Sequence, residues 1–199
     1  ANTLTVDIGG GALLETFIAT GTPGPPATIN ILAGDAQQGL PNTALAVAPN
    51  VQVVDTFNNP VADGTAVNFT ASADSSVVAT TATTVNGEAS SGVWTLGNVL
   101  GPYNLMAVSG VAAANLTATA VAGPAATITI IAGNAQTGVA GAILPVMPVV
   151  EVRDAGGFGV RGETVSFTAS ANGLVTETRE ATAAAGLSTP GLWTLDTIA

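Results

Sequence analysis

The chain has 199 residues, 47% of them hydrophobic but only 4% aromatic, so any core must be filled by Val, Ala, Leu and Ile, which suit pleated surfaces. Thirteen carboxylates face only Arg153, Arg161 and Arg179, and the net charge of -10 excludes phosphate backbones and anionic membrane surfaces as partners. With no Cys, no Lys and no His, disulfides, thiolate metal sites and His- or Cys-based catalysis are excluded, and no apolar run reaches the roughly 18 residues of a spanning helix.

From the N-terminus onward, apolar–polar alternation predicts strands at 3–8 and 14–20, then one at 27–33 after the stretch Thr20-Gly-Thr-Pro-Gly-Pro-Pro26. Strands at 49–55 and 65–71 follow, marked by Val51 and Val53 around Gln52 and by Val67 and Phe69 around Asn68. Asn58-Asn-Pro60 and Asp63-Gly64 supply the turns between them. The runs 76–84 and 88–95 meet at Asn86-Gly87, a strong hairpin signal, and strands at 103–109 and 114–121 complete the stretch. Beyond Gly123-Pro124 come strands at 126–132, 148–154, 164–169, 174–183 and 191–195, with turns at Gly156-Gly157 and Asn172-Gly173. No stretch has helical apolar spacing with caps, so the chain reads as all-β, in Greek-key sandwiches.

The order of strands repeats because the sequence does. Thr28-Ile-Asn-Ile-Leu-Ala-Gly-Asp-Ala-Gln37 recurs 99 residues later as Thr127-Ile-Thr-Ile-Ile-Ala-Gly-Asn-Ala-Gln136, and Gly92, Trp94, Thr95 and Leu96 recur as Gly191, Trp193, Thr194 and Leu195. Val67-Asn-Phe-Thr-Ala-Ser72 matches Val165-Ser-Phe-Thr-Ala-Ser170 at a shift of 98, which places a one-residue deletion near Asp63-Gly64, at a turn. The repeat divides the chain into the last strand pair of a preceding copy at 1–25, a complete sandwich at 26–123, and a sandwich at 124–199 that lacks its last two strands. The chain spans two periods and one residue, so its end is expected to meet its beginning in phase.

Val51-Gln-Val-Val-Asp55, followed by Asn58-Asn-Pro-Val61, Gly64 and Val67-Asn-Phe69, resembles the bacterial immunoglobulin-like group 1 domains of invasin and intimin type adhesins. Gly87-Glu-Ala-Ser90, Trp94-Thr-Leu-Gly97 and Asn2-Thr-Leu-Thr-Val6 resemble the remainder of that pattern, so the likeness covers essentially the whole chain. It implies tandem immunoglobulin-like sandwiches, an extracellular or cell-surface setting, and a role as a stalk module. The alternative it implies is an adhesin that binds a host or surface receptor or a glycan.

The polar residues are read as structural. Asp55 and Asp154 recur at a strand-to-turn junction, where a short acceptor binds turn amides. The linkers Thr20–Pro26 and Val121–Ala125 contain no acid, which argues against junctions stiffened by calcium; no metal, cofactor or enzymatic activity is expected. Trp94 and Trp193 are assigned to cores, along with Val51, Val53, Val67, Phe69, Leu105 and Leu116. Tyr103 stands where a tyrosine corner would, but its counterpart Leu4 lacks the hydroxyl.

The partner expected is a neighbouring copy of the same unit, whether along one longer chain or between subunits. Residues 3–20 match the strand pair 103–121, so Leu4, Val6, Ile8, Phe17 and Ile18 are the expected donor residues for an incomplete sandwich, with Val6, Ile8 and Phe17 in place of Leu105, Ala107 and Leu116.

Overall fold

A computed structural model describes residues 2–8, 14–72, 74–170 and 172–198, and every strand or helix among them is a strand. They group into two compact units, residues 1–98 with 102–119 and residues 120–199 with 99–101.

The first unit contains β1 (Asn2–Asp7), β2 (Leu14–Ala19), β3 (Thr28–Ala33), β4 (Gln37–Gly39), β5 (Asn50–Val54), β6 (Ala66–Ala71), β7 (Ser76–Val77), β8 (Thr81–Thr83), β9 (Glu88–Ser90), β10 (Trp94–Thr95), β11 (Gly101–Ser109) and β12 (Ala112–Ala120). One sheet runs β3-β5-β9, the other β4-β12-β11-β6-β8, with β7 and β10 paired separately. This is the strand order of an immunoglobulin-like sandwich. Alternation drives the inner faces together: Val51, Val53, Val67, Trp94, Leu105 and Leu116 are fully buried and Phe69 is 2% exposed.

Two expected long strands are broken in the structure. The run 76–84 divides into β7, which pairs with β10, and β8, which pairs with β6; the run 88–95 divides into β9, on β5, and β10. The chain changes sheets within each run, and Gly92, at φ +67°, turns the second. Strand β4 is too short and too polar, as Gln-Gln-Gly, to show alternation, and it is recruited by β12.

The second unit contains β13 (Ala125–Ala132), β14 (Val149–Asp154), β15 (Thr164–Ser166), β16 (Leu174–Val175), β17 (Arg179–Ala181), β18 (Leu187–Ser188) and β19 (Trp193–Thr194). The expected strands 174–183 and 191–195 are likewise shorter, and β18 was not expected. Its sheets β13-β14-β18, β15-β17 and β16-β19 reproduce β3-β5-β9, β6-β8 and β7-β10 of the first unit. The deletion is where the repeat placed it: Val61 and Val160 donate to the carbonyls of Val53 and Val152, and Gly64 and Gly162 to those of Thr84 and Thr182. The length is regained one turn later, where the tight turn Val85–Glu88 becomes the longer Ala183–Leu187.

Both units carry the same carboxylate clasp. Asp55 is 3% exposed; its Oδ2 accepts from the Gly24 amide at 2.8 Å, and its Oδ1 from the amides of Phe57 and Asn59, both at 2.9 Å. Asp154 does the same with Gly123 at 2.7 Å and Phe158 at 2.8 Å. The turn contacts follow the sequence expectation, whereas the bond to the linker, 31 residues away, does not show in any local pattern. The Gly24 amide, ahead of the turn donors and against the cost of burial, holds the Asp55 carboxyl down at about 2. A depressed folded-state value means that the clasp stabilises above the ordinary 3.8 and is lost as the pH falls from there towards about 2. Urea midpoints measured through this window should therefore fall with pH, and Asp55→Asn should flatten that slope while lowering the midpoint at neutral pH. An unchanged slope in the variant would show that other carboxylates carry the acid sensitivity.

Candidate interaction site

The two units share a sequence repeat but not a complete set of strands. Among the described residues after β13 no strand corresponds to β4, β11 or β12. In the first unit β6 is a six-residue strand flanked by β8 on one edge and β11 on the other, with Leu105 opposite Ala71 and Ala107 opposite Phe69. Its counterpart β15 is three residues long and, among the described residues, pairs only with β17. The segment that continues it, Phe167–Ala169, carries no strand pairing on the edge that β11 occupies in the first unit, and Gln136–Gly138 does not form the strand that β4 makes against β12. An open edge of this kind presents unpaired amides and carbonyls to any extended segment.

The missing strands also leave apolar side chains uncovered. Ile29 is 7% exposed and its counterpart Ile128 is 59% exposed. Trp94, Phe69, Leu96 and Val51 are buried, while Trp193, Phe167, Leu195 and Val150 are all only half-buried. What core the unit has is small, built on Val152, Val160 and Val165. The unit has a cavity of about 250 Å³ bordered by Gly138, Trp193, Leu195 and Asp196, and another of about 300 Å³ lined by Phe167, Ala169, Val175 and Trp193.

The β1–β2 pair has the reverse deficiency. It is antiparallel, with Leu4 opposite Phe17, Thr5 opposite Thr16 and Val6 opposite Glu15, and every residue in it is exposed. By register, Leu4, Val6 and Phe17 share one face, which continues to Ile8. Shifted by one repeat, that face is Tyr103, Leu105, Ala107 and Leu116, each at most 6% exposed; here Leu4 is 64%, Val6 44%, Ile8 71% and Phe17 62% exposed. Ile18, expected in the donor set, lies on the opposite face at the place of Thr117. Glu15 occupies the inward face at the place of Ala114, which is at the rim and only half-buried.

The chemistry of the surface is that of packing and β-pairing. Among the described residues no three His, Cys, Asp or Glu side chains converge on a point that would hold a metal ion. Trp94 is fully buried, as a core assignment requires, and Tyr103 is 6% exposed with its hydroxyl against Gly97.

No protein-family model matches the chain, and no curated protein does. Solved structures to which it is similar include the D0-D1 domain of intimin, at 18% identity over 85% of this chain and 83% of that one, with a TM-score of 0.34. FdeC, an Escherichia coli adhesin, matches 92% of this chain and 60% of its own at 16% identity, with a TM-score of 0.46. Domains 1-6 of the surface layer protein SbsC match 94% of this chain and 24% of theirs at 19% identity, with a TM-score of 0.40. The chain therefore spans less than two thirds of the last two structures.

Proposed function

We propose that this chain is a structural repeat of an extracellular bacterial surface fibre or stalk, assembled head to tail, in which β1–β2 of one copy completes the open unit of the next. One observation carries it: the face of β1–β2 that is exposed corresponds, one repeat later, to the face of β11–β12 that is buried against the very elements the open unit leaves uncovered. The domains are then 26–123 as a complete sandwich, 124–199 as an acceptor and 1–25 as its donor. The cell-surface setting rests on the resemblance of the Val51–Asp55 and Trp94–Gly97 motifs to adhesin modules. Clasped linkers, hydroxyl-rich outer faces and a surface poor in charge suit a mechanical role.

The driving force is sufficient. Each large apolar side chain covered contributes roughly 1.5–3 kcal/mol, so Val6, Ile8, Phe17 and their partners Phe167 and Trp193 together rival the 5–15 kcal/mol stability of a whole domain. Strand addition would also satisfy the edge of Phe167–Ala169. Since donor and acceptor are different surfaces of one copy, the contact is heterologous and propagates.

The chain has no Cys, which makes the register directly testable. Leu105 opposite Ala71 becomes Val6 opposite Ala169 between copies. Facing Cα atoms in an antiparallel pair lie about 4.5–5.5 Å apart, within disulfide range. Oxidation of the Val6→Cys, Ala169→Cys chain should give a ladder of covalent multimers, and Thr5→Cys with Ala169→Cys, off register and on the other face, should not. A chain that stays monomeric on oxidation, whether unlinked or closed on itself by an internal disulfide, overturns the proposal.

A further inference from the structure

Resting on that strand-complementation reading, we propose that donor and acceptor are matched at Leu4 and Asp196, so that β1–β2 fits the open unit of a second copy and not the place of β11–β12 in the complete sandwich. The two places are the same by fold, and a fibre of such repeats needs a reason for donors not to invade complete domains.

The reason lies in residues that differ between copies on both sides of one contact. In the complete unit a Cβ on Gly97 would lie 2.8 Å from both the Tyr103 hydroxyl and the Asp74 Cβ, so the position is closed from two sides, one of them the strand that the donor replaces. Gly97 does not have a positive φ, so its lack of a side chain answers to space and not to backbone conformation. One repeat on, position 97 is Asp196 and the residue facing it from the donor, in place of Tyr103, is Leu4. Asp196 borders the 250 Å³ cavity beside Trp193 and Leu195, and its carboxylate accepts from the Ile198 amide at 3.1 Å and the Asn172 amide at 3.4 Å. A tyrosine on the incoming strand would drive its ring and hydroxyl into that side chain. Leucine is shorter and leaves the carboxylate its place. In the opposite exchange, Leu4 in the complete unit would leave empty the space that the Tyr103 ring and hydroxyl fill, a cavity cost.

A second contact changes in the same concerted way. Asp35 Oδ1 accepts from the Thr117 amide at 2.7 Å and from its hydroxyl at 2.9 Å. The corresponding acceptor residue is the uncharged Asn134 and the donor residue is Ile18. Ile18 in the place of Thr117 would remove the hydroxyl donor and set a branched alkyl group against an ionised carboxylate. Ile18 thus belongs to the contact through the outer edge of the strand pair, which explains why it lies on the face opposite Leu4.

The test is a double-mutant cycle on the full chain, with the critical concentration for assembly read by light scattering. Leu4→Tyr should raise it by about ten- to a hundredfold, the effect of forcing an extra group into a packed site. Its melting temperature as a monomer should not change, because Leu4 is 64% exposed. Adding Asp196→Gly should restore assembly to within about threefold of the parent, a difference of less than 1 kcal/mol. If Leu4→Tyr assembles like the parent, or the double variant is no better than Leu4→Tyr alone, the matching is wrong while assembly by strand donation stands. A parent chain that does not assemble at all sinks both.

Discussion

Phe17→Ala is expected to raise the critical concentration for assembly by about two to three powers of ten while leaving the melting temperature of the unassembled chain where it was. Phe17 takes the place of Leu116, which is fully buried between the two sheets of the complete unit, yet in the chain by itself it is 62% exposed. Truncating a phenylalanine in a packed core costs about 3–5 kcal/mol, and each 1.4 kcal/mol is a factor of ten in association. The same truncation at an exposed position costs almost nothing. The pairing of a large effect on assembly with none on folding separates a donor residue from a structural one. Sedimentation of the variant across a concentration series measures the first, and a thermal melt at low concentration the second. Equal assembly by variant and parent would remove Phe17 from the contact.

Trp94→Ala is expected to destabilise the complete sandwich by about 3–5 kcal/mol, a large share of the 5–15 kcal/mol of a typical domain. Trp94 is fully buried, its backbone carbonyl accepts from the Leu45 amide at 2.8 Å, and it lies in a core with few other aromatic side chains to share the volume. Its indole Nε1 has no hydrogen-bond partner among the described residues, so the loss is one of packing, and Trp94→Phe should cost much less than Trp94→Ala. Trp193→Ala supplies the contrast. Its ring is half-buried, so the truncation should be mild in the unassembled chain and become severe only once a donor pair covers it. Denaturant titrations of the three variants, at concentrations below and above assembly, test this directly. A melting shift of a degree or two for Trp94→Ala would contradict the core assignment.

Much of the architecture is legible in the residues because sheets impose a period of two and repeats impose a period of their own. Val51, Val53, Val67 and Phe69 announce inward faces by alternation, and the 99-residue shift that carries Trp94 onto Trp193 predicts the same pairings twice. Asp55 and Asp154 are readable as turn acceptors because the turn lies within four residues of them. Their bonds to Gly24 and Gly123 are not, since a contact across 31 residues leaves no mark on local pattern. The splitting of 76–84 and 88–95 is hidden for a related reason: apolar alternation says which face a residue takes, not which of two sheets the strand joins.

The sequence by itself determined the all-β class, the repeat, the interior of the complete sandwich and the correspondence between residues 3–20 and 103–121, all of which follow from side-chain period and copy number. Only the tertiary structure decided which of the corresponding faces are covered and which are bare. It shows the same kind of face buried at Leu105 and Leu116 and bare at Val6 and Phe17, the strand at Ala66–Ala71 cut to Thr164–Ser166 where its neighbour is missing, and Ile18 turned to the far side of the pair. Burial and strand pairing are properties of which segments meet. A sequence lists candidates for those meetings, but whether a face is covered depends on the atoms across from it.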